Sequence, residues 1–359
     1  MRREAMTLGC PSPDLALSCS DWLAVAGPRL TEPLFQPVAV SRIEFLAPHL
    51  PGDCAGVLEA RLSPGSSVVD FSVRLLEPSQ AGGLAEHMQP SHLRDFLRLW
   101  AEPGGPFRPL SAVWLEFDLD SEPQGLPVPT VCAKLLPETA AEWILDCLLP
   151  ALHGRPLGSA ERGCVARCLA AIPPSATLLY AFSLLSRGSG DTLRLEIAGL
   201  DSGGILGYLR TVAPETLPWA SEGTALLAGA ERLHLSFDIG DNILPRIGIE
   251  GSFARLPHRE PGWRQLFDRL VDRGLCTAEK RDAALAWAGY DSFWTAPDRW
   301  PAAPQAVASH CVRSLSHVKV VCRPDREPEA KVYLMLGPLA PSGSTGAAIS
   351  SASRSASRT

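Results

Sequence analysis

Apolar and polar residues alternate one by one in five stretches of the chain, and each stretch is doubled about a turn. The clearest are Val113 to Leu135 and Leu233 to Phe253, each an alternating strand with a Phe-Asp step, a Gly/Pro connection and a second alternating strand. A period of two sends successive side chains to opposite faces, so each stretch reads as a hairpin with one apolar face. Three more have this shape: Val57 to Leu76, turning at Pro64-Gly65; Leu178 to Leu200, turning at Arg187-Gly188-Ser189-Gly190; and Leu315 to Leu336, turning at Pro324-Asp325.

Between hairpins the period lengthens to that of helices. Leu93, Phe96, Leu97 and Trp100 form a stripe after Pro90, which suits a first helical turn. Thr139 and Glu142 read as a capping box ahead of Trp143, Ile144, Cys147, Leu148 and Ala151, and Ser159 as the cap of a helix through Ile172. A shorter signal, Ile205, Leu206 and Leu209, follows the third hairpin. After the fourth come Trp263 to Val271, stopped by Gly274, and a helix capped at Thr277 and ended by Gly289.

Helices and hairpins thus alternate five times, at intervals of roughly 55 to 85 residues. Hairpins joined by helices give antiparallel strands with helices on one face. Ten such strands leave long edges unless they close, and closure removes the edges. The expected fold is α+β: a closed antiparallel ten-strand barrel of five helix-helix-hairpin units, helices outside, in one domain over 13–339. Residues 1–12 and the Ser/Ala/Arg-rich 340–359 lack a periodic apolar signal and read as a flexible start and a disordered tail.

With helices outside, the apolar parity faces outward and the other parity faces the lumen. Val69, Phe71, Val73 and Leu75 point out, which leaves Asp70, Ser72 and Arg74 inside. By the same reading the lumen receives Trp114, Glu116 and Asp118; Arg194 and Glu196; His234, Ser236 and Asp238; Arg246 and Glu250; His317 and Lys319; Lys331 and Tyr333; with Arg61 and Lys134 beside them. A cluster of Arg74, Arg194, Arg246, Lys319 and Lys331 suits a diphosphate, because guanidinium forks match phosphate oxygens and lysine adds a point charge.

The 359 residues carry 33 Lys and Arg against 39 Asp and Glu, a net charge of −6 that argues against a broad face for nucleic acid or anionic lipid. No apolar run is long enough to span a membrane, and the first residues lack a secretory apolar core. Ten cysteines without a CxxC pair read as free thiols in a reducing cytoplasm. P-loop, GxGxxG, HExxH and GxSxG motifs are absent.

Five such units closing ten strands resemble the ABBA-type prenyltransferases, which include fungal indole enzymes and cyanobactin peptide enzymes. The local matches are Leu315-Ser316-His317-Val318-Lys319-Val320 and Ala330-Lys331-Val332-Tyr333-Leu334, similar to the lysine-bearing strands and Lys-x-Tyr pattern that hold diphosphate there. Glu116, within Trp114-Leu115-Glu116-Phe117-Asp118, is similar to that family's acceptor-orienting base. The resemblance implies transfer of an allylic group from a diphosphate to an aromatic or ribosomal-peptide acceptor. It places His317 and Tyr333 with the basic cluster on the diphosphate, Glu116 with Asp118 or Asp238 as proton acceptor, and Trp114 and Tyr180 along the prenyl group and acceptor. No cofactor is required by this reading, although the lumen carboxylates could hold Mg²⁺. Four tyrosines in the whole chain leave Tyr333 and Tyr180 as barrel candidates, where the family uses several, with Trp114 and Phe182 as substitute ring faces. An acid/base cyclase or isomerase using His234, His317 and the carboxylates, or a non-catalytic scaffold, fits the same pattern of residues.

Overall fold

The computed structural model describes residues 18–338 except 53, 87, 121–125, 185–191, 293–297, 299 and 301–309. The flexible start, the tail beyond 340 and the turn at Arg187-Gly188-Ser189-Gly190 lie outside the described residues. Ten strands form a ring: β1 (Ala55–Arg61), β2 (Val69–Leu75), β3 (Leu110–Phe117), β4 (Thr130–Leu135), β5 (Thr177–Ser183), β6 (Leu193–Leu200), β7 (Arg232–Ile239), β8 (Ile243–Ser252), β10 (His310–Arg323) and β11 (Arg326–Pro338). Every neighbouring pair is antiparallel, and β11 closes on β1 from Gly56 against Leu336 to Arg61 against Lys331. The fold is the expected closed α+β barrel.

Each hairpin follows helical segments. They are α1 (Cys19–Ala26) and α2 (Pro37–Leu46); α3 (Ala81–Ala85) and α4 (Ser91–Ala101); α5 (Ala141–Trp143) continued through a π turn into α6 (Leu149–His153), then α7 (Ser159–Ala170); α8 (Ser202–Val212) and α9 (Leu217–Leu226); α10 (Gly262–Asp272) and α11 (Ala278–Ala286). They pack on the outward parity of the strands. Val69, Phe71, Val73 and Leu75 are fully buried, Trp22 of α1 meets Phe71 at 6.2 Å between ring centroids, and Tyr208 of α8 meets Phe237 at 5.9 Å. The main apolar core therefore lies between barrel and helices, which leaves the lumen for chemistry.

Several local expectations need correction. The box at Thr139 and Glu142 does not form: Ala140 occupies the cap without a side-chain bond, and the Thr139 hydroxyl donates back to the Leu136 carbonyl. Ser159 is the first residue of α7 rather than its cap, because Glu161 accepts from the Gly158 N–H and fixes the start one residue earlier. Gly289 does not end α11, which stops at Ala286, but opens an additional short strand, β9 (Gly289–Ser292), paired with the first residues of β10. Asp291 on β9 accepts from Arg313 Nε at 3.1 Å, an ion pair that ties this strand to its neighbour. The Thr277 cap does form, its hydroxyl accepting from the Lys280 N–H.

The described cysteines other than Cys54 are free thiols, as the spacing implied. Among the described residues, no helix is long and apolar enough to cross a membrane.

Candidate active site in the barrel lumen

The lumen encloses a cavity of about 490 Å³. Because the strand period alternates faces, neighbouring strands each deliver inward residues to it. Its wall includes Arg74, Trp114, Glu116, Tyr180, Arg194, Arg246, His317, Lys319, Lys331 and Tyr333, so nearly all the candidates read from the sequence share one space. Asp118 and Asp238 are not on that wall.

Buried charges around the cavity form three groups. In the first, at the seam between β11 and β1, Lys331 Nζ donates to Glu59 Oε1 at 2.6 Å, and Arg61 lies 3.1 Å from Glu59 and 2.5 Å from Asp70. Burial and the nearby Glu59 push the Asp70 carboxyl up to about 7, although Arg61 opposes them. In the second, Arg194 grips Asp238 through Nε at 2.6 Å and Nη2 at 3.2 Å, and Arg246 lies 3.5 Å from the same carboxylate. Burial would raise the Asp238 carboxyl, but the two guanidinium groups hold it down at about 2. A carboxylate so held is a poor proton acceptor, which corrects the expectation for Asp238. Asp118 lies beyond β3, where its charge raises Asp70 instead of meeting the cavity. Of the three carboxylates expected to take a proton, only Glu116 lines the cavity.

The third group spans β6, β7, β8 and β10. Lys319 Nζ donates to Glu250 Oε1 at 2.7 Å, His234 Nδ1 lies 3.0 Å from Glu196 Oε1 and 3.7 Å from Glu250 Oε2, and His317 Nε2 lies 3.4 Å from Glu250 Oε2. Burial draws the His234 imidazole down, yet its bonds to Glu196 and Glu250 outweigh this and lift it to about 10. Burial carries His317 down to about 4. Burial and the neighbouring Glu250 raise Glu196, whereas Lys319 and His317 overcome burial and lower Glu250.

Arg74 and Lys134 differ from these cations. Among the described residues neither makes an ion pair, and desolvation lowers both. Arg74 sits over the Trp114 ring at 5.7 Å, and its Nε is buried without a hydrogen-bond partner, as is Trp114 Nε1. Two orphaned donors beside a second cation leave a place where an anion would be held.

One apolar stretch of the wall is Cys132 and Phe182, backed by Leu184, with Trp114 and Tyr180 packed against them and Tyr180 and Phe182 lying 6.0 Å apart. Tyr333 stacks on His317 at 4.0 Å. The other two tyrosines lie elsewhere: Tyr208 bonds the Cys168 carbonyl, and Tyr290 is exposed. The residue the sequence reading missed is Glu59, although it shares its strand parity with Arg61 and was visible on that ground.

No family model matches the chain, and no curated protein matches it. Solved structures do. The 6-dimethylallyltryptophan synthase from Micromonospora olivasterospora, solved with DMASPP and Trp, superposes with a TM-score of 0.54 at 15% identity, over 89% of this chain and 97% of that one. AnaPT from Neosartorya fischeri gives 0.53 at 9% identity, over 91% and 95%. The apo form of the prenyltransferase PriB gives 0.50 at 13% identity, over 90% and 95%. The chain has the barrel fold of the ABBA-type aromatic prenyltransferases.

Proposed function

We propose that the protein transfers an allylic group from a diphosphate ester to an acceptor bound in the lumen. The observation that carries this reading is the pair of orphaned buried donors, Arg74 Nε and Trp114 Nε1, with Lys134 in the same cavity and, among the described residues, no carboxylate engaged by either cation. A diphosphate would accept from both donors and offset the charge of both cations. The 6-dimethylallyltryptophan synthase of this fold, solved with DMASPP and Trp, supports the same donor and an aromatic acceptor.

In the reaction the allylic C–O bond breaks and its electron pair leaves with the diphosphate. Arg74 and Lys134 are already aimed at that growing negative charge. The allylic cation then lies against Trp114, Tyr180 and Phe182, whose ring faces stabilise positive charge and whose packing excludes water. The acceptor, an aromatic ring or a peptide side chain, bonds to the allylic carbon, and Glu116 takes the proton it loses. The products are diphosphate and the alkylated acceptor. Lys319, Lys331, Arg194 and Arg246 are neutralised by buried carboxylates and act by shaping the wall and its field.

The test is thermal unfolding with dimethylallyl thiolodiphosphate, with and without Mg²⁺, followed by diphosphate release in the presence of tryptophan, tyrosine and peptide acceptors. A rise in Tm that disappears in Arg74→Met and Lys134→Met supports the proposal. The absence of any rise with allylic diphosphates of different chain length overturns it.

A further inference from the structure

We propose that Glu196, His234 and Glu250 form a binding site for one divalent first-row metal ion of the Mn²⁺ or Zn²⁺ class on the lumen wall. The inference stands apart from the prenyl-transfer reading, because it uses Glu196, His234 and Glu250 rather than Arg74 and Lys134.

Three donor atoms, a carboxylate oxygen from each glutamate and an imidazole nitrogen, lie within 4.8 Å of one another. Two ligands bound about 2.1 Å from one ion at octahedral or tetrahedral angles sit roughly 3.0 to 3.4 Å apart. His234 Nδ1 is 3.0 Å from Glu196 Oε1 and 3.7 Å from Glu250 Oε2, so two of the three donor pairs are already near that separation. The residues stand on three adjacent strands, with His234 directly opposite Glu250, and a rigid sheet rather than a loop sets their spacing.

The groups around the cluster have the arrangement of an outer shell. Lys319 occupies Glu250 Oε1 at 2.7 Å and thereby fixes Oε2 toward His234. His317 lies beside the same oxygen, with Nε2 3.4 Å away, buried and without a hydrogen-bond partner. Its Nδ1 faces the Ser316 hydroxyl at 3.0 Å, and its ring is stacked on Tyr333. An orphaned imidazole nitrogen at that place is free to hydrogen-bond a water on a bound ion, as donor or acceptor according to its tautomer. One imidazole with two carboxylates suits Mn²⁺ and Zn²⁺.

Binding is read on chelator-stripped full-length protein, with the metal alone. Titration with MnCl2, followed by the loss of the free-ion electron paramagnetic resonance signal, should show one site per chain, emptied by one equivalent of ZnCl2. Glu196→Gln and His234→Gln should each weaken it about tenfold or more, while Glu116→Gln in the same cavity leaves it unchanged. X-ray absorption of the Zn²⁺-loaded wild-type protein should report one imidazole and oxygen ligands, a measurement independent of whether the variants fold. No saturable binding, or binding that survives both substitutions in folded protein, or a coordination shell without imidazole overturns the site. None of these readouts uses allylic diphosphate, so this proposal and the prenyl-transfer reading can fail separately.

Discussion

Lys331 and Glu59 stand 272 positions apart in sequence and meet at 2.6 Å across the seam where the last strand closes on the first. Both are nearly inaccessible, at 4% and 1% exposure. A buried ion pair adds modest net stability, but removing one member strands the other, at a cost of about 3 to 5 kcal/mol. Lys331→Met should therefore destabilise the barrel by about that amount in urea unfolding, reduced because Arg61 also faces Glu59. The double variant Lys331→Met with Glu59→Gln should recover much of the loss. If Lys331→Met leaves stability unchanged but abolishes diphosphate binding, the lysine serves the ligand and not the seam.

Lys280 of α11 supplies a second long-range tie. Its ammonium donates to the carbonyls of Arg61, Ser63 and Ser66 at 2.8, 2.9 and 2.8 Å, and so caps the turn between β1 and β2. Hydrogen bonds involving a charged group contribute about 1.5 to 3 kcal/mol each, with strong sharing among three acceptors on one ammonium. Lys280→Met should cost about 3 kcal/mol and accelerate amide exchange at the β1–β2 turn more than elsewhere. Uniform exchange across the barrel would contradict this local role.

The five hairpins were legible in the sequence because strand alternation is a local signal enforced by two different environments, helices outside and charge inside. Arg74, Glu116, Arg194, Lys319 and Tyr333 could be placed in one lumen on parity alone. What parity does not encode is pairing. It gave Asp238 and Glu116 the same standing, whereas two guanidinium groups converge on Asp238, contributed by strands on either side of it. Lys319 and Lys331 looked like ligand cations for the same reason. Their carboxylate partners come from neighbouring strands, and only the register brings them together. The strand β9 escaped notice because four residues give too short a pattern, and it is held by Asp291 and Arg313 rather than by alternation.

His234 predicts a specific pH dependence. Its imidazole is held at about 10 in the folded, metal-free protein, against about 6.5 in an unfolded chain. A base whose folded pKa is raised contributes stability that is complete below the unfolded value and lost as pH rises through the folded one. Metal-free wild-type protein should lose stability progressively between pH 6.5 and 10, and His234→Gln should flatten that limb. Asp238 works in the opposite direction, since its depressed carboxyl, at about 2, contributes stability above pH 4 that is lost as the pH falls toward 2. Asp238→Asn should reduce the acid limb, to which Glu250 also contributes, and leave the alkaline limb unchanged. An alkaline slope that persists unchanged in His234→Gln would show that the imidazole is not held by Glu196 and Glu250.

Gly248 on β8 tests whether the lumen wall depends on close packing of its charges. A Cβ at this position would lie 2.5 Å from Ser236 Oγ and 2.8 Å from Lys319 Cε, closer than atoms tolerate. The absence of a side chain leaves room for the Lys319 stem, whose ammonium bonds Oε1 of Glu250, on the same strand as Gly248. In Gly248→Ala the hydroxyl and the lysine stem must both move. The Ser236 hydroxyl then loses its bond to the Gly248 carbonyl, and Lys319 is pushed from Glu250, leaving two buried charges poorly compensated. The expected cost is about 2 to 4 kcal/mol, combining overpacking with a weakened ion pair. Lys319→Met in the Gly248→Ala background separates these contributions: if the clash with the lysine dominates, the second change costs much less there than in wild-type protein. Strict additivity of the two substitutions would show instead that Lys319 does not depend on the space above Gly248.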